Sequence, residues 1–375
     1  MRSMLLGLTA WGGLSASLLA APAAPDLPFA QGWELHGDAA RVTEDGRDAL
    51  AIGTGWAYRR DVQLADGTIE MDVKVTRRRS FVYVTFRMED DQEYEDLYLR
   101  PHKSGLPDAV QYAPVRQGRS AWQLHHGTGA TAAIVFEPGA WTRLRLVLNG
   151  RTAALYMGEP KPGEAPAFVA RLDREPRAGF LAVRAFADRK PGPVAWYSAV
   201  RVRPEAPPLD PNLVPAAPKD PPGVVKAWAV SEALPPITEP SPRPPAGQRF
   251  HAVTADPGGL VSLLRHVKIP PKAESWTTAA RLHVQADKAG PRRLDLGFSD
   301  TATVYLNGAA LFHADAHYSF DNPRQEGLVH LGQASVFLPL QAGDNELVVV
   351  VSDVFGGWAL MGRFADQAGL RLEAR

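Results

Sequence analysis

Residues 68–75 read TIEMDVKV, and this stretch decides the fold class. Its apolar side chains stand at every second position, with Thr, Glu, Asp and Lys between them. Successive side chains of a β-strand point to opposite faces, so this alternation predicts a strand with one buried and one wet face. No neighbouring stretch of the first half keeps a helical period for three turns, so the chain around it is predicted to be built of strands.

Further short strands follow on both sides of this one. They are predicted at 81–88, 94–100, 109–115, 121–125, 144–148, 152–157, 179–186 and 194–202, and then at 224–230, 279–285, 292–298, 302–307, 334–340 and 346–352. Asn149-Gly150 and Asn307-Gly308 separate such runs, and Asn-Gly is the strongest local signal for a hairpin. The pattern predicts an all-β protein of two antiparallel β-sandwich (jelly-roll) domains in tandem.

The chain divides at a proline-rich stretch. Its 375 residues are more than one ordinary core organises. Residues 204–222 contain eight prolines, which cannot donate sheet hydrogen bonds and favour an extended spacer. The predicted organisation is therefore a first sandwich at 24–203, a linker at 204–222 and a second sandwich at 223–375.

The N-terminus has the pattern of a secretory signal. Arg2 precedes an apolar run over 4–20, and small residues follow at 20–24. Residues 1–23 are therefore predicted to be removed on export, which indicates a periplasmic or secreted protein. An uncleaved anchor is the alternative, but the run is only marginally long for a span. No other stretch is long and apolar enough to cross a bilayer.

The composition excludes several function classes. The chain has no cysteine, which rules out disulfides, thiolate metal sites and cysteine nucleophiles. Lys plus Arg and Asp plus Glu both number 41, so the net charge gives no reason to expect a nucleic-acid partner. The sequence also lacks a Gly-x-Ser-x-Gly elbow, a phosphate-binding glycine loop and a dinucleotide fingerprint.

Three segments of the first half resemble the concanavalin A-like lectin/glucanase superfamily. They are GTIEMDV at 67–73, WTRLRLVLNG at 141–150 and GFLAVR at 179–184, and the resemblance extends over about 28–203. The constellation of 94–102, Gln111-Tyr112 and 122–124 is similar to an exported bacterial subgroup of that superfamily. The resemblance implies a sandwich that binds or cleaves carbohydrate, and it is a likeness of fold more than of function.

The second half resembles the galactose-binding-like jelly rolls that are appended to glycoside hydrolases. The residues that carry the likeness are VYLNG at 304–308, VFLPL at 336–340, GDNEL at 343–347 and FGGW at 355–358. It extends over about 224–375. The resemblance implies a module that binds sugar, binds another exported protein, or braces its neighbour.

The candidate ligand site combines aromatic rings with forked hydrogen-bond donors, which is the chemistry that sugar rings and hydroxyls need. If strands 81–88 and 94–100 pair, one sheet face presents both kinds of group. The candidate residues are Arg87, Tyr94, Tyr98, Arg100, His102, Gln111, Tyr112, Trp122 and Gln123. The alternative is that the rings belong to the core and that the arginines are surface ion pairs.

A second set of candidates lies in loops and strand ends of the second half, where function often resides on a rigid sandwich. The set is Tyr305, Asn307, His317, Asp321, Trp358 and Arg363. Trp358 follows Gly356-Gly357 and is either an exposed stacking platform or, as we favour, a core side chain. His313 and His317, four residues apart but without a helix, do not predict a metal site.

Glycoside hydrolysis is the alternative function. It needs two carboxylates about 5 Å apart in a retaining enzyme. The Glu-x-Asp pattern of laminarinase-like members begins at Glu70 and Asp72, but Lys74 and Val75 follow where a second Glu is needed. A pair drawn from Glu70, Asp72, Glu93, Glu95 or Asp96 on separate strands stays open.

The acidic stretch 89–96 joins two predicted strands and contains carboxylates of the kind that bind Ca²⁺. It lacks the ligand spacing of a calcium loop, so a solvated hairpin tip is favoured and no other cofactor is expected. The leading hypothesis is an exported, non-catalytic carbohydrate-binding protein. A structural module that docks on another exported protein is the third interpretation.

Overall fold

The computed structural model describes residues 26–375 except 160, 162, 189, 238, 271–272 and 323. The predicted signal at 1–23 lies outside these residues. The regular secondary structure of the described residues consists of antiparallel strands, with short 3-10 turns at Pro101–Lys103, Pro211–Leu213 and Leu263–Arg265. The prediction of an all-β sandwich fold is therefore confirmed.

The first domain contains thirteen strands in one continuous ladder. They are β1 Glu34–Glu44, β2 Arg47–Leu64, β3 Gly67–Val75, β4 Ser80–Met88, β5 Tyr94–Leu99, β6 Val110–Arg116, β7 Arg119–Ser120, β8 Thr131–Ala132, β9 Trp141–Asn149, β10 Thr152–Met157, β11 Phe168–Arg171, β12 Gly179–Ala187 and β13 Ala195–Arg203. The order is β11-β10-β9-β3-β13-β2-β12-β4-β5-β6-β7, with β1 on β2 and β8 on β6.

The long strand β2 turns this ladder into a sandwich. Residues 49–52 of β2 pair with β13, and residues 55–64 pair with β12. One layer thus contains β3 and β9, and the other contains β12, β4 and β5. Ile69 and Met71 of the first layer share a buried apolar cluster with Val84 of the second. The core therefore lies between the layers, and the opposite side of the β2-β12-β4-β5-β6 layer is left for other contacts. We call that side the outer face.

The second domain divides its strands between two sheets. The strands are β14 Ala227–Ser231, β15 Phe250–Thr254, β16 Val261–Ser262, β17 Trp276–Ala286, β18 Gly290–Ser299, β19 Thr301–Leu306, β20 Ala309–Asp315, β21 Ala334–Leu340, β22 Gly343–Asp353, β23 Ala359–Phe364 and β24 Leu370–Glu373. One sheet has the order β15-β14-β17-β22-β19-β20 with β24 on β17, and the other has β16-β23-β18-β21. A separate apolar cluster that includes Trp228, Trp276 and Trp358 lies between them.

The predicted strand at 121–125 is wrong. The structure has turns there, because this segment leaves the first sandwich and contacts the second domain. The backbone N–H of Gln123 donates to the carbonyl of Gly356 at 2.9 Å, and its carbonyl accepts from Val329 at 3.1 Å. The side-chain amide of Gln117 bonds to Leu264 and Val267 carbonyls, both at 2.9 Å. The two domains are thus joined by directed hydrogen bonds as well as by the linker.

Among the described residues, no helix is long and apolar enough to span a membrane.

Candidate functional site

Strand register places five side chains in one row across the outer face. Trp56 on β2 pairs with Arg184 on β12, which pairs with Tyr83 on β4. Tyr83 pairs with Tyr98 on β5, and Tyr98 pairs with Gln111 on β6. Cross-strand neighbours on one face are close enough for their side chains to interact. The row therefore brings together three aromatic rings, a guanidinium and an amide.

Arg184 contacts both of its neighbours in this row. Its guanidinium carbon lies 3.6 Å from the ring centre of Tyr83 and 4.4 Å from that of Trp56. The guanidinium also donates to the carboxylate of Asp96, whose other oxygen accepts from the Thr85 hydroxyl at 2.6 Å. Burial raises the pKa of the Asp96 carboxyl, and Arg184 opposes that rise. The ring contacts and the ion pair together fix the arginine in place.

Tyr98 and Gln111 form a closed part of the outer face. The Tyr98 hydroxyl donates to Gln111 Oε1 at 2.6 Å, and Arg100 Nη2 donates to the same oxygen at 2.7 Å. The Gln111 amide nitrogen donates to the carbonyls of Trp122 and His125, at 2.8 and 2.6 Å. The 121–126 segment therefore covers Gln111 of β6 and borders the accessible part of the outer face.

A second row of aromatic groups lies at the end where β4 begins. Phe81 is 6.3 Å from Phe186 and 5.5 Å from His102, measured between ring centres. Phe186 is 54% exposed, while Phe81 and His102 are half-buried. The His102 Nδ1 accepts from the Ser80 backbone at 3.3 Å, and burial lowers the pKa of its ring. The open outer face thus continues from Trp56 to this edge.

Two predicted ligand residues point into the interior. Arg87 is 2% exposed and bonds Glu95 at 3.0 Å and the Gly150 carbonyl at 2.7 Å. The Tyr112 hydroxyl donates to the other oxygen of Glu95 at 2.6 Å. Arg87 leaves the face of Tyr83 because it has a φ of 47° at a register shift, where β4 has one residue more than β12. Such a bulge reverses the alternation of side chains.

The remaining first-domain candidates separate into two groups. Tyr94 lies on the outer face with its ring perpendicular to Trp56 at 5.8 Å, although it is only 7% exposed. Trp122 and Gln123 lie where the two domains meet. Gln123 is completely buried there and accepts from the Ser299 hydroxyl at 2.9 Å. Gln123 is therefore part of the contact between the two domains, whereas Trp122 is partly exposed.

The second-domain candidates are not brought together. Tyr305 is 2% exposed and Trp358 is fully buried, with its Nε1 donating to the Val351 carbonyl at 3.1 Å. Arg363 forms an ion pair with Asp295 on the four-stranded sheet. The other three occupy separate turns or loops: Asn307 accepts from the Glu346 backbone, His317 contacts Asp315, and Asp321 is exposed. These six residues therefore do not form one site, and Trp358 is the core side chain that the sequence favours.

The five acids of the hydrolase alternative are spread over both sides of the first sandwich. Glu70 pairs with Arg203, and Asp72 pairs with two arginines on the layer opposite the outer face. Glu93 pairs with Arg174 in a loop. Glu95 is interior, and Asp96, its sequence neighbour, lies beneath Arg184. Asp96 is therefore the one member of this set on the outer face. No group of three or more His, Asp or Glu side chains among the described residues is arranged to hold a metal ion.

A separate cavity of about 380 Å³ lies between the domains on another side of the junction. Its lining is fully charged, with Glu89, Glu93, Arg116, Arg151, Asp173, Arg174, Glu175, Arg177, Asp256 and Arg265. The acids and arginines are equal in number and pair with one another, as Arg116 and Asp173 do at 2.8 Å. The charges of the lining therefore balance, and the cavity has no excess of positive or negative charge that would attract a charged ligand.

Sequence reasoning missed three residues of the outer face as site residues: Trp56, Tyr83 and Arg184. The period-two pattern of 179–186 contained the signal for Arg184, since Arg184 and Phe186 lie on one side of that strand. Its partners across the sheet depend on strand order, which alternation alone does not give. Tyr318, Phe320 and Phe355 were also missed, because they are contributed by loops of the second domain.

No protein-family model matches the chain, and no curated protein matches it. The chain is similar in fold to solved structures of low sequence identity. One is the carbohydrate binding module CBM66 from Bacillus subtilis, with 14% identity and a TM-score of 0.35, covering 46% of this chain and 95% of that one. Another is the β-glucanase of Bacillus licheniformis, with 11% identity and a TM-score of 0.37, covering 48% and 97%. A galectin from Caenorhabditis elegans has 9% identity and a TM-score of 0.29, covering 46% and 96%.

Proposed function

We propose that this chain is an exported carbohydrate-binding protein that holds a sugar on the outer face of its first domain without cleaving it. The observation that carries the proposal is the guanidinium of Arg184 held between the rings of Trp56 and Tyr83. Trp56, Tyr83 and Arg184 are each partly exposed, and 17% of the Arg184 side chain is accessible. Trp56 also stacks on Tyr58, with ring centres 5.2 Å apart, so a ligand reaches the remaining exposed part of its ring.

The chemistry of this surface suits a pyranose or furanose ring. The C–H groups of a sugar pack on an aromatic plane, and its hydroxyls need donors and acceptors at fixed positions beside that plane. Arg184 supplies a planar set of N–H donors whose orientation is fixed by Asp96. Because the bound geometry exists before the ligand arrives, little conformational entropy is lost on binding.

The distribution of acids supports binding over hydrolysis. A glycosidase places two carboxyl groups on either side of the scissile bond, about 5–5.5 Å apart in retaining enzymes and about 6.5–9.5 Å apart in inverting ones. Asp96 is paired with Arg184 and its neighbour Glu95 points into the core. Among the five acids that the sequence offers, Asp96 therefore has no second acid of that set beside it. Glu70 and Asp72 share a face of β3, but both are buried and paired with arginines.

The proposal is tested by a glycan array on residues 24–375, run with Trp56→Ala and with Trp196→Ala as the matched control. Trp196 is also a partly exposed tryptophan, but it lies on β13 and packs against Lys74 on another part of the sandwich. Loss of one stacking ring is expected to weaken binding of a wild-type hit by roughly 3- to 10-fold in the Trp56 variant. The Trp196 variant is expected to bind as the wild type does.

Three outcomes oppose the proposal. If the folded wild type binds no glycan, the protein-docking interpretation replaces it. If the Trp196 variant loses binding and the Trp56 variant does not, the ligand lies on a different surface. Release of reducing ends from a bound glycan would support the hydrolase alternative in place of simple binding.

Export is part of the proposal and rests on the N-terminal pattern alone. It predicts that the mature protein from the native host begins near residue 24, which N-terminal sequencing measures. Calcium at residues 89–96 stays a prediction. There, Glu89 and Glu93 both bond Arg174, at 2.6 and 2.7 Å.

A further inference from the structure

Four aromatic side chains meet where the two domains join, and we call them the junction cluster: Trp122, Tyr318, Phe320 and Phe355. Ring centres are 5.4 Å apart for Trp122 and Tyr318, 5.0 Å for Tyr318 and Phe320, and 5.9 Å for Trp122 and Phe355. Phe320 is 72% exposed and Phe355 is 52% exposed. Clustered exposed aromatic rings are characteristic of a binding surface.

Asp300 bonds to two of the loops that carry these rings, to one through its carboxylate and to the other through its backbone carbonyl. Asp300 is 3% exposed, and its Oδ2 accepts from the backbone N–H groups of Val354 and Phe355, at 3.0 and 3.3 Å. Its carbonyl accepts from Ala316 at 2.8 Å, just before the loop that contains Tyr318. Asp300 thus anchors the backbone of one loop at Val354 and Phe355 and the start of the other at Ala316.

The junction cluster continues the outer face of the first domain. Arg79 directly precedes β4, in which Phe81 and Tyr83 share the outer face because alternate strand residues do so. Its Nη2 lies 3.5 Å from the hydroxyl of Tyr318. Aromatic and guanidinium groups therefore follow one another from Tyr83 through Phe81 and Arg79 to Tyr318.

We propose that the junction cluster is a second sugar-stacking subsite, so that the protein recognises an oligosaccharide of several units that extends across both domains. This inference rests on the proposed function of the outer face and specifies the length of its ligand. Ser80 and Tyr83 are three positions apart in β4, which corresponds to about 10 Å, and Tyr318 of the junction cluster contacts Arg79, before the start of that strand. One sugar ring, about the size of an aromatic ring, does not reach both platforms.

The area of the cluster argues against a protein as its occupant. At roughly 200 Å² for each aromatic side chain, the exposed parts of the four rings amount to on the order of 400 Å². A stable protein interface covers about 800 Å² on each partner. The Arg79 guanidinium and the Tyr318 hydroxyl lie among the aromatic rings and can bond to the hydroxyls of a sugar chain. A sugar chain is also narrow enough to lie along this row of side chains.

The test measures the affinity of residues 24–375 for laminari-, cello-, xylo- and fructo-oligosaccharides of two and of six units, by calorimetric titration. The variants are Trp56→Ala, Phe355→Ala and Phe337→Ala. Phe337 is the matched control because it is an exposed phenylalanine, at 66%, on β21 of the second domain and outside the junction cluster. Both phenylalanines are more than half exposed, so their removal leaves the cores intact.

The expected result is that a six-unit ligand binds more tightly than its two-unit homologue. Phe355→Ala is expected to lower the affinity for the six-unit ligand by roughly 3- to 10-fold and to leave the affinity for the two-unit ligand unchanged. Trp56→Ala is expected to lower the affinity for both ligands. Phe337→Ala is expected to leave both affinities unchanged.

The two proposals fail in different ways. If Trp56→Ala weakens binding but length has no effect and Phe355→Ala matches the wild type, the second subsite is overturned while the proposed function stands. If none of these sugars binds the wild type, or if Trp56→Ala has no effect, the proposed function is contradicted and the second subsite with it.

Discussion

Replacement of Arg87 by Met would leave the carboxylate of Glu95 buried without its cation. Arg87 is 2% exposed and Glu95 is fully buried, and their charged groups are 3.0 Å apart. Removing one partner of a buried ion pair costs about 3–5 kcal/mol, because the other charge is then uncompensated. For a domain of this size, each kcal/mol lowers the melting temperature by about 2–4 °C. We therefore expect Arg87→Met to melt about 6–20 °C below the wild type.

The assay is thermal unfolding followed by circular dichroism, with Glu95→Gln combined in a double-mutant cycle. Glutamine at position 95 is uncharged, so it needs no cation beside it, and it can still contact the Tyr112 hydroxyl. The double variant is therefore expected to recover at least about 2 kcal/mol of the unfolding free energy that Arg87→Met loses. A cost of less than about 1 kcal/mol for Arg87→Met, or additivity of the two changes, would contradict a stabilising buried ion pair between Arg87 and Glu95.

Four further changes probe the packing and the titrating groups. Trp358→Ala removes a fully buried ring and is expected to cost about 3–5 kcal/mol in urea unfolding; a loss under 1 kcal/mol would contradict a core position. Gln123→Ala removes a buried amide of the junction, so calorimetry is expected to resolve separate unfolding of the two domains, and one unchanged transition would oppose this. Burial lowers the pKa of His125 to about 4, so the unfolded chain takes up its proton first and stability falls as pH drops from about 6.5 to 4; His125→Gln should flatten that slope. Burial raises the pKa of Asp353 well above its usual range, so the stability of the fold falls as pH rises above about 4. Asp353→Asn is therefore expected to melt at a higher temperature than the wild type at pH 8, and an equal or lower melting temperature would contradict this.

Alternation of apolar residues was sufficient to predict most strands and the fold class. The run at 68–75 became β3, and the Asn307-Gly308 turn has positive φ at both residues, as a tight hairpin requires. The segment 121–125 misled the prediction because its apolar residues pack on the second domain and not on a sheet neighbour. A contact between domains has no periodic signal in the sequence.

The site was only partly predictable for the same physical reason. Tyr94 and Tyr98 lie on the outer face because regular alternation holds along β5. Alternation fails at Arg87, where the bulge turns the side chain inward. Trp56 and Arg184 become neighbours only when β2 and β12 pair. Strand order is set by the packing of the whole sandwich, so a single sequence does not reveal that contact.

The decisive measurement is a crystal structure with a bound oligosaccharide chosen from the array. We expect a sugar ring against Trp56 and Tyr83, with hydroxyls within hydrogen-bond distance of the Arg184 guanidinium and with both ends of the ligand intact. A sugar bound in the charged cavity beside Arg116, or on the layer that carries Trp196, would contradict it.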